Sequence, residues 1–174
     1  MGLLSKKNKP SQKAYAVVMG AGSGIGRSFA LELAKRGGDV ICADIELSSA
    51  QETVDLIQSM TSSSAYAVHC DVGLKESVHA LAEQSEQLLG HPVTLLINNA
   101  GVGLGGKFDE VSLEDWQWCM HVNLWGVIHG CHYFVPKFKQ QGFGAIINVA
   151  SAAGYTAAPE MTAYNVTKSS VLAL

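Results

Sequence analysis

The sequence predicts an α/β domain in which helices cover both faces of one parallel sheet. Short apolar runs alternate with amphipathic stretches along most of the chain, and the apolar runs have the length of buried strands. Strand–helix alternation of this kind produces a parallel sheet, because each helix carries the chain back to the edge at which the next strand begins. Right-handed crossovers make such a sheet doubly wound, and we predict the strand order 3-2-1-4-5.

The boundaries of the elements follow from the apolar pattern and from capping residues. Strands are predicted at residues 15–19, 40–43, 65–69, 93–97 and 145–149. Helices are predicted at residues 25–36, from a cap at Ser48 or Ser49 to Met60, at residues 74–89, from Ser112 onward and from about Met161 onward. In the first helix we expect Ile25 and Leu33 to face the core.

Composition limits the classes of function that the chain can serve. Its 174 residues are 48% hydrophobic and 16% charged, as expected of one globular domain, and the net charge is −3. Without a surplus of basic residues, neither a nucleic acid nor an anionic membrane is expected as a partner. The four cysteines form no CxxC pair and the histidines are scattered, so we expect reduced thiols, a cytoplasmic location and no metal site.

A glycine-rich segment directly follows the first predicted strand. It has the spacing GxxxGxG and leads into a predicted helix, whose N-terminal N–H groups and dipole favour phosphate. Gly20 permits the tight turn, Gly24 lets the backbone approach a pyrophosphate, and Gly26 permits close helix–strand packing. We therefore expect a dinucleotide to contact the loop residues Gly20, Gly22, Ser23, Gly24, Ile25 and Gly26.

A second glycine motif has the standard GxGxxG spacing but the wrong context. It comprises Gly101, Gly103 and Gly106, and the next predicted helix does not begin until Ser112. We interpret residues 101–106 as a flexible loop beside the site rather than as the phosphate loop.

The choice between NAD and NADP is indicated at the end of the second strand. Asp44 lies there, where a carboxylate can accept both ribose hydroxyls of NAD and repels a 2′-phosphate. Position 23 in the glycine loop is Ser, so no cation is present there to hold that phosphate. Both features favour NAD over NADP.

The pattern Tyr-x-x-x-Lys occurs twice, and the context separates the two occurrences. Spacing i, i+4 puts both side chains on one helix face, where an ammonium group favours the phenolate form of tyrosine. Tyr133 and Lys137 enclose Pro136, which should disturb their helix, and they follow no strand. Tyr164 and Lys168 instead open the helix after the fifth strand, where doubly wound sheets bind ligands. The second pair is therefore the predicted catalytic pair.

Taken together, these residues resemble the short-chain dehydrogenase/reductase family over nearly the whole chain, from about Tyr15 to Leu174. The family has a Rossmann-type fold. The matching parts, in the family's order, are the GAGSGIG loop, Asp44, Asp71-Val72, Asn98-Asn-Ala-Gly101, Asn123, Ser151 and Tyr164/Lys168. One departure is Met19, where the family usually has a threonine.

The resemblance implies a role for each catalytic residue. Tyr164 would be the general acid/base, and Lys168 would support it and bind the nicotinamide ribose. Ser151 would position the substrate oxygen, and Asn123 would hold a water in the proton relay. By spacing alone, Asn123 is as well explained as a polar residue on a helix.

The resemblance also implies further cofactor contacts. Asp71 and Val72 would bracket the adenine, and Asn98 would line the adenosine ribose, whereas Asn99 would tie strands together. Ala100 and Gly101 would complete the cofactor site.

The implied activity is hydride transfer between a nicotinamide cofactor and an alcohol or ketone. Two alternatives stay open: a nucleotide-binding or interaction module without catalysis, and, less favoured, a sugar-nucleotide epimerase. The substrate cannot be identified, although several residues suggest an apolar wall, namely Ala152, Ala153, Ala157, Ala158 and Met161.

The ends of the chain carry separate expectations. Residues 1–12 are interpreted as a basic arm without an assigned function, and residues 13–174 as the cofactor-binding and catalytic domain. The last predicted helix has no stop signal before Leu174, and no further strand covers the fifth one. We therefore expect a truncated or partial chain, and a homo-oligomer for the full-length protein.

Overall fold

The computed structural model describes residues 9–174, in which five parallel strands form a single sheet in the order β3-β2-β1-β4-β5. The strands are β1 (Tyr15–Met19), β2 (Asp39–Asp44), β3 (Ala65–His69), β4 (Leu95–Asn98) and β5 (Ala145–Asn148). The predicted strand order and the parallel arrangement are confirmed. Most of the expected N-terminal arm, residues 1–8, lies outside the described residues.

Helices connect the strands in the predicted alternation. They are α1 (Gly24–Lys35), α2 (Leu47–Met60), α3 (Lys75–Leu89), α4 (Leu113–Met120), α5 (Gly126–Gln141) and α6 (Thr162–Ala173). A π-helical turn, His121–Trp125, joins α4 and α5, so that the long fourth helix of the prediction is divided by a local widening. A 3₁₀ turn, Ala152–Gly154, lies between β5 and α6.

The two faces of the sheet carry separate cores. On one face, buried side chains of α1 and α2 such as Leu33 and Ile57 pack with Val18 of β1. On the other face, Leu81 of α3 and Phe134 of α5 pack with those strand residues whose side chains point to that face of the sheet. Because both faces are covered, the middles of the central strands are buried, which is why they appear in the sequence as continuous apolar runs.

Two local predictions near the first two helices were wrong. Ile25 is 64% exposed rather than inward-facing, because it lies in the first turn of α1, where it lines an open cleft instead of the core. Ser48 and Ser49 lie inside α2, whose N-cap is Glu46, two or three residues before the predicted cap. The chain is turned there by Asp44, whose Oδ1 accepts a hydrogen bond from the backbone N–H of Glu46 at 3.0 Å.

The expected disturbance at Pro136 is also absent, since α5 continues past it to Gln141. Helix α5 is held by buried packing along its length, and Lys137 bonds Glu83 and Glu86 of α3 at 2.9 Å each. Tyr133 stacks on His79 with ring centroids 4.8 Å apart. The first Tyr-x-x-x-Lys pair thus joins two helices on one face of the sheet, and its lysine is paired rather than simply solvated.

Strand β5 lies at the edge of the described sheet. It pairs with β4 on one side, and Ile147 is 42% exposed. No helix within residues 9–174 is both long enough and apolar enough to cross a membrane.

Candidate active site

A large cleft, of about 660 Å³, opens at the carboxyl ends of the strands. Its lining includes Gly20 after β1, Asp44 at the end of β2, and Gly101 after β4. Because β1 lies between β2 and β4, the chain crosses to opposite sides of the sheet at this point. This reversal is where doubly wound sheets bind ligands.

The glycine loop is crowded on one side and open on the other. A Cβ atom on Gly20 would lie 2.7 Å from Ala100 Cα, and one on Gly26 would lie 1.8 Å from the Gly20 carbonyl oxygen. Gly20 also has φ +77°, which favours glycine. Gly24, in contrast, has no heavy atom within 4 Å of its Cβ position and faces the cleft. The loop therefore packs tightly against β4 and leaves room for a ligand beside the N-terminus of α1.

Asp44 is fixed by the loop that it borders. Its Oδ2 accepts a hydrogen bond from the Gly22 N–H at 2.7 Å, in addition to the bond that Oδ1 accepts from Glu46. Gly22 itself is buried against Asp44 and Ser49 and does not line the cleft. The carboxylate is thus held at the cleft wall with lone pairs left for a ligand.

The end of β3 contributes the neighbouring part of the wall. Cys70, Asp71 and Val72 all line the cleft. Asp71 Oδ1 accepts a hydrogen bond from the Gly73 N–H at 2.9 Å, which holds the turn into α3. Burial raises the pKa of the Cys70 thiol to about 11, so this wall carries a neutral thiol beside the Asp71 carboxylate.

Asn123 lies in the π-helical turn and is fully buried. Its Oδ1 accepts the Val102 N–H at 2.7 Å, and its Nδ2 donates to the Val102 carbonyl at 2.9 Å. Nδ2 is also 3.3 Å from Thr167 Oγ1 of α6. A single buried amide therefore connects the long helix to the loop after β4 and to the helix of Tyr164.

Tyr164 and Lys168 both line the cleft from α6, one helical turn apart. Lys168 Nζ lies 5.8 Å from the centroid of the Tyr164 ring and donates to the Val149 carbonyl at 2.8 Å. Lys168 is only 4% exposed, and burial lowers the pKa of its ammonium group. The second Tyr-x-x-x-Lys pair thus lies in the cleft, whereas Tyr133 and Lys137 do not.

Comparison with known proteins decides which family this arrangement represents. A family model described as short chain dehydrogenase matches residues 14–174. The chain belongs to the short-chain dehydrogenase family. The resemblance inferred from the motifs is therefore confirmed, and so is the fold class.

Several family members are similar to this chain in sequence and structure. An uncharacterized oxidoreductase of Thermotoga maritima is 36% identical over 94% of the chain, and a cyclohexanol dehydrogenase of Acinetobacter is 38% identical over 96% of it. A short chain dehydrogenase/reductase of Burkholderia phymatum, solved in complex with NAD, superimposes with a TM-score of 0.90 at 38% identity over 95% of the chain. The chain spans 63%, 66% and 58% of the lengths of these three proteins, respectively.

For the two adjacent asparagines, Asn98 and Asn99, the structure differs from the expectation. The Asn98 side chain is buried and donates to Asn148 Oδ1 of β5 at 2.7 Å, so it is Asn98 that ties strands together. Asn99 lines the cleft and donates to the Gly20 carbonyl at 3.1 Å. Successive residues of a strand point to opposite sides, and the sequence alone does not show which of two adjacent asparagines faces the ligand.

Ser151 lies beside the cleft without being among its lining residues. It is half-buried and follows Ala150, which lines the cleft. Its Oγ accepts a hydrogen bond from the Ala153 N–H at 3.2 Å, as the cap of the 3₁₀ turn. Of the residues expected to form an apolar wall, only Met161 lines the cleft; the four alanines do not.

Several lining residues were missed by the analysis of the sequence. Ile45 and Cys70 each adjoin a predicted cofactor residue at the end of a strand, so the strand-end rule would have found them. Trp118 and Val122 lie one turn apart on the long helix, on the face adjoining Asn123. Helical periodicity counted back from Asn123 was the available signal for these two.

Proposed function

We propose that this chain is the cofactor-binding and catalytic part of an oxidoreductase that transfers hydride between NAD(H) and an alcohol or ketone. The observation that carries the proposal is the presence, in one cleft, of the glycine loop and Asp44 together with Tyr164 and the buried Lys168. The family supports a nicotinamide cofactor, and a structurally similar member was solved with NAD.

The residues present fit a dinucleotide. The cleft has the volume of a cofactor site, and Gly24 leaves open space beside the N-terminus of α1. Asp44 would accept the ribose hydroxyls, Asp71 and Val72 would flank the adenine, and Ala100 and Gly101 would line the middle of the site. We propose Asn99 in place of Asn98 as the asparagine on the cofactor side, because only Asn99 lines the cleft.

Preference for NAD over NADP is part of the proposal. The Asp44 carboxylate is oriented by two backbone N–H groups, and Ser23 in the loop is uncharged. A 2′-phosphate at the same ribose would meet the Asp44 charge without a compensating cation from position 23.

In the proposed chemistry, a bound nicotinamide supplies or accepts the hydride, and the protein handles the proton. Tyr164 exchanges a proton with the substrate hydroxyl oxygen through its own Oη. The Lys168 ammonium stabilises the negative charge that develops on Tyr164 and is positioned by the Val149 carbonyl. Ser151 orients the substrate oxygen. Asn123 holds the loop at Val102 and would hold a water in the proton relay.

The lining favours an uncharged substrate. Asp44, Asp71 and Lys168 are the charged side chains of the described lining, and each already has a role toward the cofactor or the proton. Around Tyr164 the lining is apolar or small, including Val102, Ala150 and Met161. A similar family member is a cyclohexanol dehydrogenase, which supports a neutral alcohol as the substrate class.

The proposal is tested by following NADH formation at 340 nm with a panel of secondary alcohols, and NADH binding by protein fluorescence. Turnover of at least one alcohol with NAD is expected. Tight NADH binding without turnover of any alcohol or reduction of any ketone would support instead the nucleotide-binding module without catalysis.

A further inference from the structure

Asn165 follows Tyr164 directly, but its side chain points away from the cleft and into the protein. It is 9% exposed. Its Nδ2 donates to the Ala158 carbonyl at 2.8 Å, and its Oδ1 accepts the Ala158 N–H at 3.3 Å. One side-chain amide therefore satisfies both polar backbone groups of a single loop residue. We call residues 155–161, which join the 3₁₀ turn to α6, the α6 entry loop.

This arrangement repeats the one that Asn123 makes with the loop after β4. Asn123 holds both backbone groups of Val102, in the loop after β4, with the same two-point geometry. The cleft is thus bordered by two loops, each fastened at one residue by an asparagine from the helix beneath it. The family resemblance drew attention to Asn123, whereas no motif had indicated Asn165.

The two loops are also joined to each other. The Gly106 N–H donates to the Glu160 carbonyl at 2.7 Å. Glu160 has φ +55°, a left-handed conformation that is unfavourable for a residue with a side chain and persists only where surrounding contacts hold it. The Asn165 side chain holds Ala158, two residues before Glu160. The backbone N–H of Asn165 holds Met161, the residue after Glu160, by donating to its carbonyl at 2.8 Å.

The consequence for the cleft lies at Met161. This residue follows the strained Glu160, lines the cleft, and comes three positions before Tyr164. If the entry loop shifts, the Met161 wall shifts with it, while Tyr164 and Lys168 stay on α6. The entry loop therefore controls where a substrate lies relative to a catalytic pair that is held independently.

We infer that Asn165 is a positioning residue for the substrate: it fixes the α6 entry loop at Ala158 and thereby holds Met161 as the wall against which the alcohol packs beside Tyr164. The inference rests on the proposed alcohol oxidation. It assigns to Asn165 an effect on substrate binding and none on the affinity for the cofactor, because none of the predicted cofactor contacts lies in the α6 entry loop.

The test compares Asn165→Leu, which removes both hydrogen bonds at similar volume, with Val166→Ala, a change at the exposed neighbour on the same helix. Steady-state kinetics are measured in the intact protein with cyclohexanol and NAD. Asn165→Leu is expected to raise KM for the alcohol by at least about tenfold, with kcat changed by less than about threefold. The Kd for NADH and all parameters of Val166→Ala are expected to stay at wild-type values.

A second measurement reports the loop itself. A Glu-specific endoprotease is expected to cut after Glu160 faster in Asn165→Leu than in the wild type. Cutting after the exposed Glu46, at the start of α2, serves as an internal reference and should not change. If Asn165→Leu does not fold, Asn165→Asp takes its place, because it keeps the size and the acceptor but sets a carboxylate oxygen against the Ala158 carbonyl. The same direction of change is expected.

The outcomes separate the inference from the proposed function. Wild-type turnover with an unchanged KM and unchanged cleavage at Glu160 in the variant would overturn the role of Asn165 alone. A fall in kcat at constant KM would also overturn it, since that result places Asn165 in the chemical step. Absence of wild-type turnover with every alcohol would overturn the proposed function, and this inference with it.

Discussion

Gly26 packs so closely against Gly20 that a Cβ atom at position 26 would lie 1.8 Å from the Gly20 carbonyl oxygen. The same carbonyl accepts a hydrogen bond from Asn99 Nδ2 at 3.1 Å. The start of α1, the turn after β1 and the end of β4 therefore meet at one backbone group. The glycine at position 26 is required by this contact, in addition to any requirement of the cofactor.

Substituting Gly26 by alanine is expected to disrupt both the fold and the cofactor site. The added methyl group would have to displace backbone rather than a flexible side chain, and overpacking of this kind typically costs on the order of 3 kcal/mol. Urea unfolding should show the loss of stability, and fluorescence titration should show a loss of NADH binding.

Gly90→Ala is the matched control for Gly26→Ala. Gly90 has φ +66° but open space around its Cβ position, and it lies at the end of α3 away from the cleft. The Gly90→Ala variant should lose about 1 kcal/mol of folding stability, because alanine disfavours the left-handed backbone at this position, and it should retain its affinity for NADH. Equal effects of the two changes would contradict the account of Gly26.

Cofactor preference is expected to depend on Asp44. The wild-type protein should bind NADH more tightly than NADPH, and Asp44→Ala should narrow the ratio of the two dissociation constants by about tenfold, the equivalent of one charged hydrogen bond. Asp55→Ala, which removes an exposed carboxylate from the outer face of α2, should leave the ratio unchanged. Equal or tighter binding of NADPH by the wild type would show that Asp44 does not determine the preference.

Alkaline pH is expected to destabilise the protein through its buried thiols. Burial raises the pKa of Cys42 from 9.0 to about 12, so between these values the unfolded chain releases a proton that the folded chain retains. Stability then falls as pH rises, by up to about 1.4 kcal/mol per pH unit for this thiol. Below pH 9, the Cys42 thiol is protonated in both the folded and the unfolded chain and does not make stability depend on pH.

Cys42→Ala isolates this effect from that of other groups. The free energy of unfolding in urea is measured for the wild type and for Cys42→Ala at pH 8 and at pH 10. Between these pH values, the wild type should lose about 1 kcal/mol more stability than the variant. Lys168, whose pKa is lowered by burial, acts in the opposite direction, but it is present in both proteins and cancels. A pH dependence identical in the two proteins would contradict a raised thiol pKa.

The order of the elements could be predicted from the sequence, because a parallel sheet buried on both faces leaves a pattern that hardly depends on tertiary detail. Boundaries and orientations set by particular side-chain contacts could not. The chain turns into α2 through the bond between Asp44 and Glu46, and Ile25 lines the cleft instead of packing in the core. Neither is visible in apolar periodicity.

The site was predictable where a residue type is tied to one chemistry, as for the glycine loop and the Tyr164/Lys168 pair. It was not predictable where the geometry of a loop decides which side chain reaches the cleft. Loop 101–106, expected to be flexible, is held at Val102 by Asn123 and at Gly106 by Glu160. These bonds link residues distant in sequence, and no local pattern indicates them.

The choice between the two Tyr-x-x-x-Lys pairs is the central claim, and a pair of conservative substitutions tests it most directly. NADH formation from a secondary alcohol is measured for Tyr164→Phe and Tyr133→Phe in the intact protein, alongside NADH binding by fluorescence. Tyr164→Phe should retain NADH binding and lose kcat by about 10²- to 10⁴-fold, the usual contribution of a general acid/base. Tyr133→Phe should keep both, because the Tyr133 ring packs against His79 and His132, away from the cleft. Loss of turnover in Tyr133→Phe with full turnover in Tyr164→Phe would contradict the account.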